Sequence, residues 1–173
     1  MHRAISVALS FAVVACAGGS KSTESSGSMG SSAMSAGAAQ AKLESTGEVP
    51  PPNVGSSSPT GMATFTPSGD KISYKVTASG LTSPVTTAHI HSGGPGKAGP
   101  VVVPLTISTG SDAGSANGEG TFDASAIKPP PDGSPMSWTD LVSGLKSGNL
   151  YVNVHTQNNP KGEIRGQIGG GQQ

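Results

Sequence analysis

Thr86-Thr-Ala-His-Ile-His-Ser-Gly-Gly-Pro-Gly-Lys-Ala-Gly-Pro-Val-Val-Val-Pro-Leu105 is the stretch that decides the fold. An alternating run, Thr86–His91, breaks into a glycine- and proline-rich loop and resumes as an apolar run from Val101. That is the pattern of two short strands with a loop between them. Strand side chains alternate between faces, so Ala88 and Ile90 take one face and Thr87, His89 and His91 take the other. The pattern returns in Leu150-Tyr-Val-Asn-Val-His-Thr156. There Val152 and Val154 point one way, and Tyr151, Asn153 and His155 the other.

Outward from these two runs the chain keeps the same habit. Ala41–Glu44, Gly61–Thr66, Lys71–Thr77, Val101–Thr106, Gly118–Phe122 and Gly162–Ile168 are further strand candidates, and Pro67-Ser-Gly-Asp70 is a turn between two of them. One segment has helical spacing. Ser137 caps it, Asp140 sits in its first turn, Trp138, Leu141, Val142 and Leu145 share a face, and Gly148 ends it. About eight strands and one short helix predict an all-β domain, a Greek-key β-sandwich or barrel. The 26 glycines and 14 prolines agree with many turns, and with aromatics at 3% the core must be aliphatic. Ten basic residues balance ten acidic ones, which removes the basic footprint of a nucleic-acid binder.

The N-terminal part has a different character. Arg3 precedes an uncharged apolar run from Ala4 to Ala15, too short for a helix that spans a bilayer, and it reads as an export signal over residues 1–15. Val13-Val-Ala-Cys16 resembles the lipobox of bacterial lipoproteins, which implies that Cys16 is lipidated and becomes the mature N-terminus. Ala17 after the cysteine then points to the outer membrane in a Gram-negative host. Residues 16–40 are rich in Ser, Gly and Ala with few large apolar side chains, so they read as a flexible tether. The folded domain is expected over residues 41–169, with a short tail at 170–173. Cys16 is the only cysteine, so no internal disulfide supports the domain.

Four histidines occur, and His2 lies in the leader. The other three, His89, His91 and His155, all fall on the polar faces of their strands. Residues i and i+2 of a strand stand ~6.5–7 Å apart at the backbone, so His89 and His91 can reach one ion. Three imidazoles suit copper or zinc and leave a coordination position open. No nucleophile elbow, phosphate loop or paired-carboxylate motif is present, and no catalytic residue is expected.

Ala88-His-Ile-His91 with Gly99-Pro-Val-Val-Val103, Gly148–Thr156, and Asn159-Pro-Lys-Gly-Glu-Ile-Arg-Gly-Gln-Ile168 together resemble the CHRD domain, as do Glu48-Val-Pro-Pro51 and Gly61–Phe65. That domain repeats in chordin and occurs alone in microbial secreted proteins. The resemblance implies a non-catalytic binding module on the cell envelope with an extracellular protein partner, its histidines shaping the glycine-rich loop. The alternative is a copper or zinc site at His89, His91 and His155. The His-x-His strand and the Gly-Glu-Ile-Arg-Gly close are also similar to copper–zinc superoxide dismutase, which supports the sandwich or barrel. That enzyme's second metal site and disulfide have no counterpart here, so its activity does not follow.

Overall fold

The computed structural model describes residues 37–112, 114–131, 133 and 135–170. Cys16, the leader and the tether up to residue 36 lie outside these residues. Nine strands form one antiparallel sheet: β1 (Ala39–Glu44), β2 (Thr60–Ser68), β3 (Lys71–Ser79), β4 (Val85–Ser92), β5 (Val101–Leu105), β6 (Ser108–Thr109), β7 (Ala116–Phe122), β8 (Gly148–Thr156) and β9 (Ile164–Gly170). Their order across the sheet is β5-β4-β8-β9-β1-β2-β3-β7-β6.

This order forces the sheet to curl. A flat sheet of nine strands would hold its edges roughly 38 Å apart, at about 4.8 Å per step. The edge strands are β5 and β6, and only Thr106 and Ile107 separate them in the chain. Three Cα steps reach at most about 11 Å. The two edges therefore meet, and the sheet wraps around its own concave face. Tyr74 of β3 fastens the junction: its hydroxyl accepts from Thr106 N at 2.9 Å and donates to Thr106 O at 3.3 Å. Gly118 of β7 lets the junction approach, since a Cβ there would lie 2.4 Å from Thr106 O.

The concave side holds the core, where Leu43, Phe65, Ile72, Val76, Ile90, Val103, Val152, Val154 and Ile164 are fully buried. The expected inward residues Ala88, Ile90, Val152 and Val154 are all there. Helix α1 (Trp138–Ser147) closes one end with Leu141 and Leu145. Its caps follow from the sequence: the Ser137 side chain accepts from Asp140 N at 3.1 Å, and Gly148 takes the left-handed conformation at φ 74°.

The all-β expectation with one short helix is borne out. Several strand bounds differ by one or two residues, and three differences have a clear local reading. β1 starts at Ala39, ahead of residue 41. β9 starts at Ile164, because Glu163 and the preceding Gly162, at φ 126°, belong to the turn after β8. The two-residue β6, Ser108–Thr109, carries no alternation for a sequence reading to detect.

The larger difference concerns the convex face of β4, β8 and β9. Alternation marks it as polar, yet Tyr151, Asn153 and Arg165 are nearly inaccessible. The loop between β4 and β5 folds back over it. Arg165 donates to the carbonyls of Gly94 and Lys97, at 3.0 and 2.9 Å, and Gln167 Nε2 donates to Gly93 O at 2.6 Å. The result is a second buried layer, built from polar groups.

Candidate functional site

That covered layer contains the three histidines. Antiparallel pairing sets His89 opposite Asn153, Thr87 opposite His155 and His91 opposite Tyr151. One nitrogen from each of His89, His91 and His155 lies within 4.8 Å of the others. The ring centroids of His89 and His155 are 5.0 Å apart, and those of His89 and His91 are 5.6 Å apart. The chain separates His89 from His155 widely, and the β4–β8 register reunites them.

Hydrogen bonds to carbonyls fix the tautomers, because a carbonyl only accepts. His91 Nδ1 donates to Gly99 O at 2.9 Å, and His155 Nδ1 donates to Pro160 O at 3.0 Å. Both rings therefore hold an Nε2 lone pair. That of His155 faces His89 Nδ1 at 3.1 Å, so His89 carries its proton on Nδ1 and accepts the Thr87 hydroxyl, 2.7 Å from Nε2. The lone pair of His91 Nε2 is buried and, among the described residues, has no partner. All three rings stay neutral. Burial, reinforced by the His155 and His91 charges, lowers His89 to about 4. Burial lowers His91 and His155 too, against their carbonyl bonds.

One pair of these nitrogens has the spacing of a tetrahedral metal site, with the third within 4.8 Å. Two imidazole nitrogens on one zinc, each about 2.0–2.1 Å from it, stand roughly 3.3 Å apart. His89 Nδ1 and His155 Nε2 are 3.1 Å apart already. Backbone carbonyls on the outer nitrogens are the usual way a metal-binding histidine is oriented. His89 needs only to pass its proton from Nδ1 to Nε2, where the rotatable Thr87 hydroxyl can accept it in place of donating.

The surroundings hold His91 firmly. Its ring stacks on Tyr151, centroids 4.8 Å apart and planes within 10°. From the neighbouring strand β9 the Arg165 guanidinium lies over the Tyr151 ring, 3.4 Å from its centroid. Tyr151 Oη accepts from Gly99 N at 3.1 Å, so the residue whose carbonyl orients His91 is itself fixed.

Sequence reasoning placed all three histidines on one side of their strands, and the fold brings them together. It assigned no role to Glu48, Asn153, Glu163 or Arg165. Glu163, fully buried, accepts from Thr82 N, Thr82 Oγ1, Thr156 Oγ1 and Asn159 Nδ2. It ties the turn that supplies Pro160 O to the β3–β4 connection. Glu48, raised to about 7 by burial despite the charge of Arg165, reaches in from the β1–β2 connection. The alternation Glu163-Ile-Arg165 was the available clue, since two of its polar members turn out buried in this layer.

No curated protein and no solved structure matches the chain. The CHRD domain family matches residues 39–168, which takes in β1 to β8 and all of β9 but its last two residues. The chain belongs to the CHRD domain family.

Proposed function

We propose that this protein is an envelope-anchored CHRD module that binds a copper or zinc ion at His89, His91 and His155 without catalysing a reaction. One observation carries the reading. The outer nitrogens of His91 and His155 are tied to carbonyls while the inner nitrogens converge, and one of them, His91 Nε2, is buried without a donor. A buried acceptor without a partner costs about 1–3 kcal/mol, and an ion removes that cost. The leader and Cys16 supply the anchor in this reading, through acyl chains at the mature N-terminus.

Zinc and copper titrations of the folded domain, with a competing chelator, test the site. One equivalent should bind to the native sequence and none to the triple variant His89→Ala, His91→Ala, His155→Ala. Equal binding by both refutes the reading. Cys16→Ser should release the protein from the membrane fraction. If the native protein is equally soluble, the anchor reading is wrong.

A second reading has its own observation. The His91 and His155 bonds to Gly99 and Pro160 hold two loops, as a protein-interaction module would need. Absence of metal binding, together with faster exchange of the residue 93–99 amides in His91→Ala, selects this one.

A further inference from the structure

Beside the histidines the covered layer holds two more unpaired acceptors. Among the described residues, three buried side-chain atoms lack a hydrogen-bond partner: His91 Nε2, Asn153 Oδ1 and Glu48 Oε1. They are neighbours. Asn153 lies directly across from His89 and diagonal to His91, and its carboxamide touches both His91 and Glu48. Asn153 is 4% exposed, so water does not compensate its oxygen.

The polarity of this contact is the informative part. Gly99 O fixes the His91 proton on Nδ1. Nε2 therefore presents a lone pair toward the asparagine, whose Oδ1 is also an acceptor. Two acceptors that share a buried space are satisfied by a donor or by a cation between them. A cation satisfies both at once.

We propose that the Asn153 carboxamide oxygen is the fourth ligand of the three-histidine site, which then takes a divalent ion in a set of three nitrogens and one oxygen. The inference rests on the three-histidine reading and adds metal selectivity to it. Carbonyl oxygen is a hard donor that suits divalent ions, and it offers little to copper(I), which prefers soft ligands. Zinc(II) and copper(II) gain from Asn153, while copper(I) is served by the imidazoles alone.

The test compares the native domain with Asn153→Leu, which keeps the branching and the number of heavy atoms without an oxygen, and Asn153→Asp, which keeps the oxygen and adds charge. Zinc(II) affinity should fall at least tenfold in Asn153→Leu, with copper(I) affinity changed less than threefold. Asn153→Asp should hold or exceed native zinc affinity. The cobalt(II) derivative should change its visible absorption in Asn153→Leu, as a ligand oxygen is exchanged. Metal-free Asn153→Leu should melt no lower than the native domain, since it deletes an unpaired buried acceptor. A lower melting point makes Asn153 a structural amide and overturns the proposal. Unchanged zinc affinity and cobalt spectrum in Asn153→Leu also overturn it and leave the three-histidine site standing. If the native domain binds neither zinc nor copper, the three-histidine reading fails and this inference falls with it.

Discussion

Replacing Glu163 by alanine should cost more than any comparable change on the exposed face, although it deletes a charged side chain. The carboxylate is fully buried and accepts four hydrogen bonds: Thr82 N at 2.7 Å, Thr82 Oγ1 at 2.8 Å, Thr156 Oγ1 at 2.5 Å and Asn159 Nδ2 at 3.0 Å. Two of the donors are hydroxyls, which can rotate toward other acceptors. The Thr82 backbone N–H cannot turn away, and Asn159 is held by its bonds to Asn53 N and O, at 2.8 and 3.2 Å. Asn159 Nδ2 keeps Asn53 O and Thr82 Oγ1 as acceptors, so one buried donor, Thr82 N, is stranded, at about 1–3 kcal/mol. That is a large share of the roughly 5–15 kcal/mol by which domains are stable. The melting point should drop by about 4–12 °C. Glu163→Gln keeps one acceptor oxygen and should lose about half as much. Urea unfolding followed by the fluorescence of Trp138, the only tryptophan, measures both. A loss below about 1 kcal/mol in Glu163→Ala would show that water replaces the carboxylate easily and that the network holds nothing.

Gly99→Ala should prevent the β4–β5 loop from docking, because a Cβ there would sit 1.6 Å from Ser92 O; proteolysis within residues 93–99 should become fast, and native resistance refutes the idea. The pH dependence of the metal-free domain follows from two opposed groups. The folded domain keeps His89 neutral down to about 4, against an ordinary value of 6.5, so its share of stability is intact above 6.5 and is lost as pH falls toward 4. Glu48, raised from 4.5 to about 7, stabilises the fold below 4.5 and loses that contribution as pH rises through 7. Glu48→Gln should therefore make stability climb more steeply between pH 4.5 and 7; a slope equal to the native one refutes the assignment. Zinc affinity should begin to fall only below pH 6.5, since burial lowers all three rings; a fall beginning at pH 6.5 would show that the rings are ordinary surface imidazoles.

Much of this was legible in the sequence because burial on the concave side follows a period of two. Ala88, Ile90, Val152 and Val154 had to face together, and the caps Ser137 and Gly148 had to bound a helix. The three histidines were legible for the same reason. What alternation cannot reveal is whether a polar face meets water or a folded-back loop. His155 and Lys42 both lie on the polar faces of strands, yet His155 is 9% exposed while the Lys42 side chain is 68% exposed. The difference comes from loops that fold back: the turn with Pro160 meets His155, and side chains on β8 and β9 gather the carbonyls of residues 93–99 beside it, contacts with no local signature. Glu163 and Arg165 looked like the solvated half of a final strand because the groups that satisfy them, Thr82 for one and the carbonyls of Gly94 and Lys97 for the other, come from segments distant in the chain.

The quality of that second layer is what makes its exceptions informative. Fully paired polar layers are stable, and partly paired ones cost more than an apolar replacement. Here Glu163 has four donors and Arg165 has two carbonyls and an aromatic face. Gln167 has two carbonyls, those of Gly93 and Gly148. A fold that satisfies these groups so completely could have satisfied Asn153 by placing a donor at one neighbouring position. Tyr151, one step along the same face of β8, spends its hydroxyl on Gly99 instead. His91 Nε2 and Asn153 Oδ1, both acceptors, therefore gather at the histidine cluster, shielded from bulk water. A packing defect would scatter orphaned donors and acceptors alike. Lone pairs alone, converging beside three neutral imidazoles, are the arrangement a cation stabilises, and metal-dependent stabilisation of the folded domain is its thermodynamic consequence.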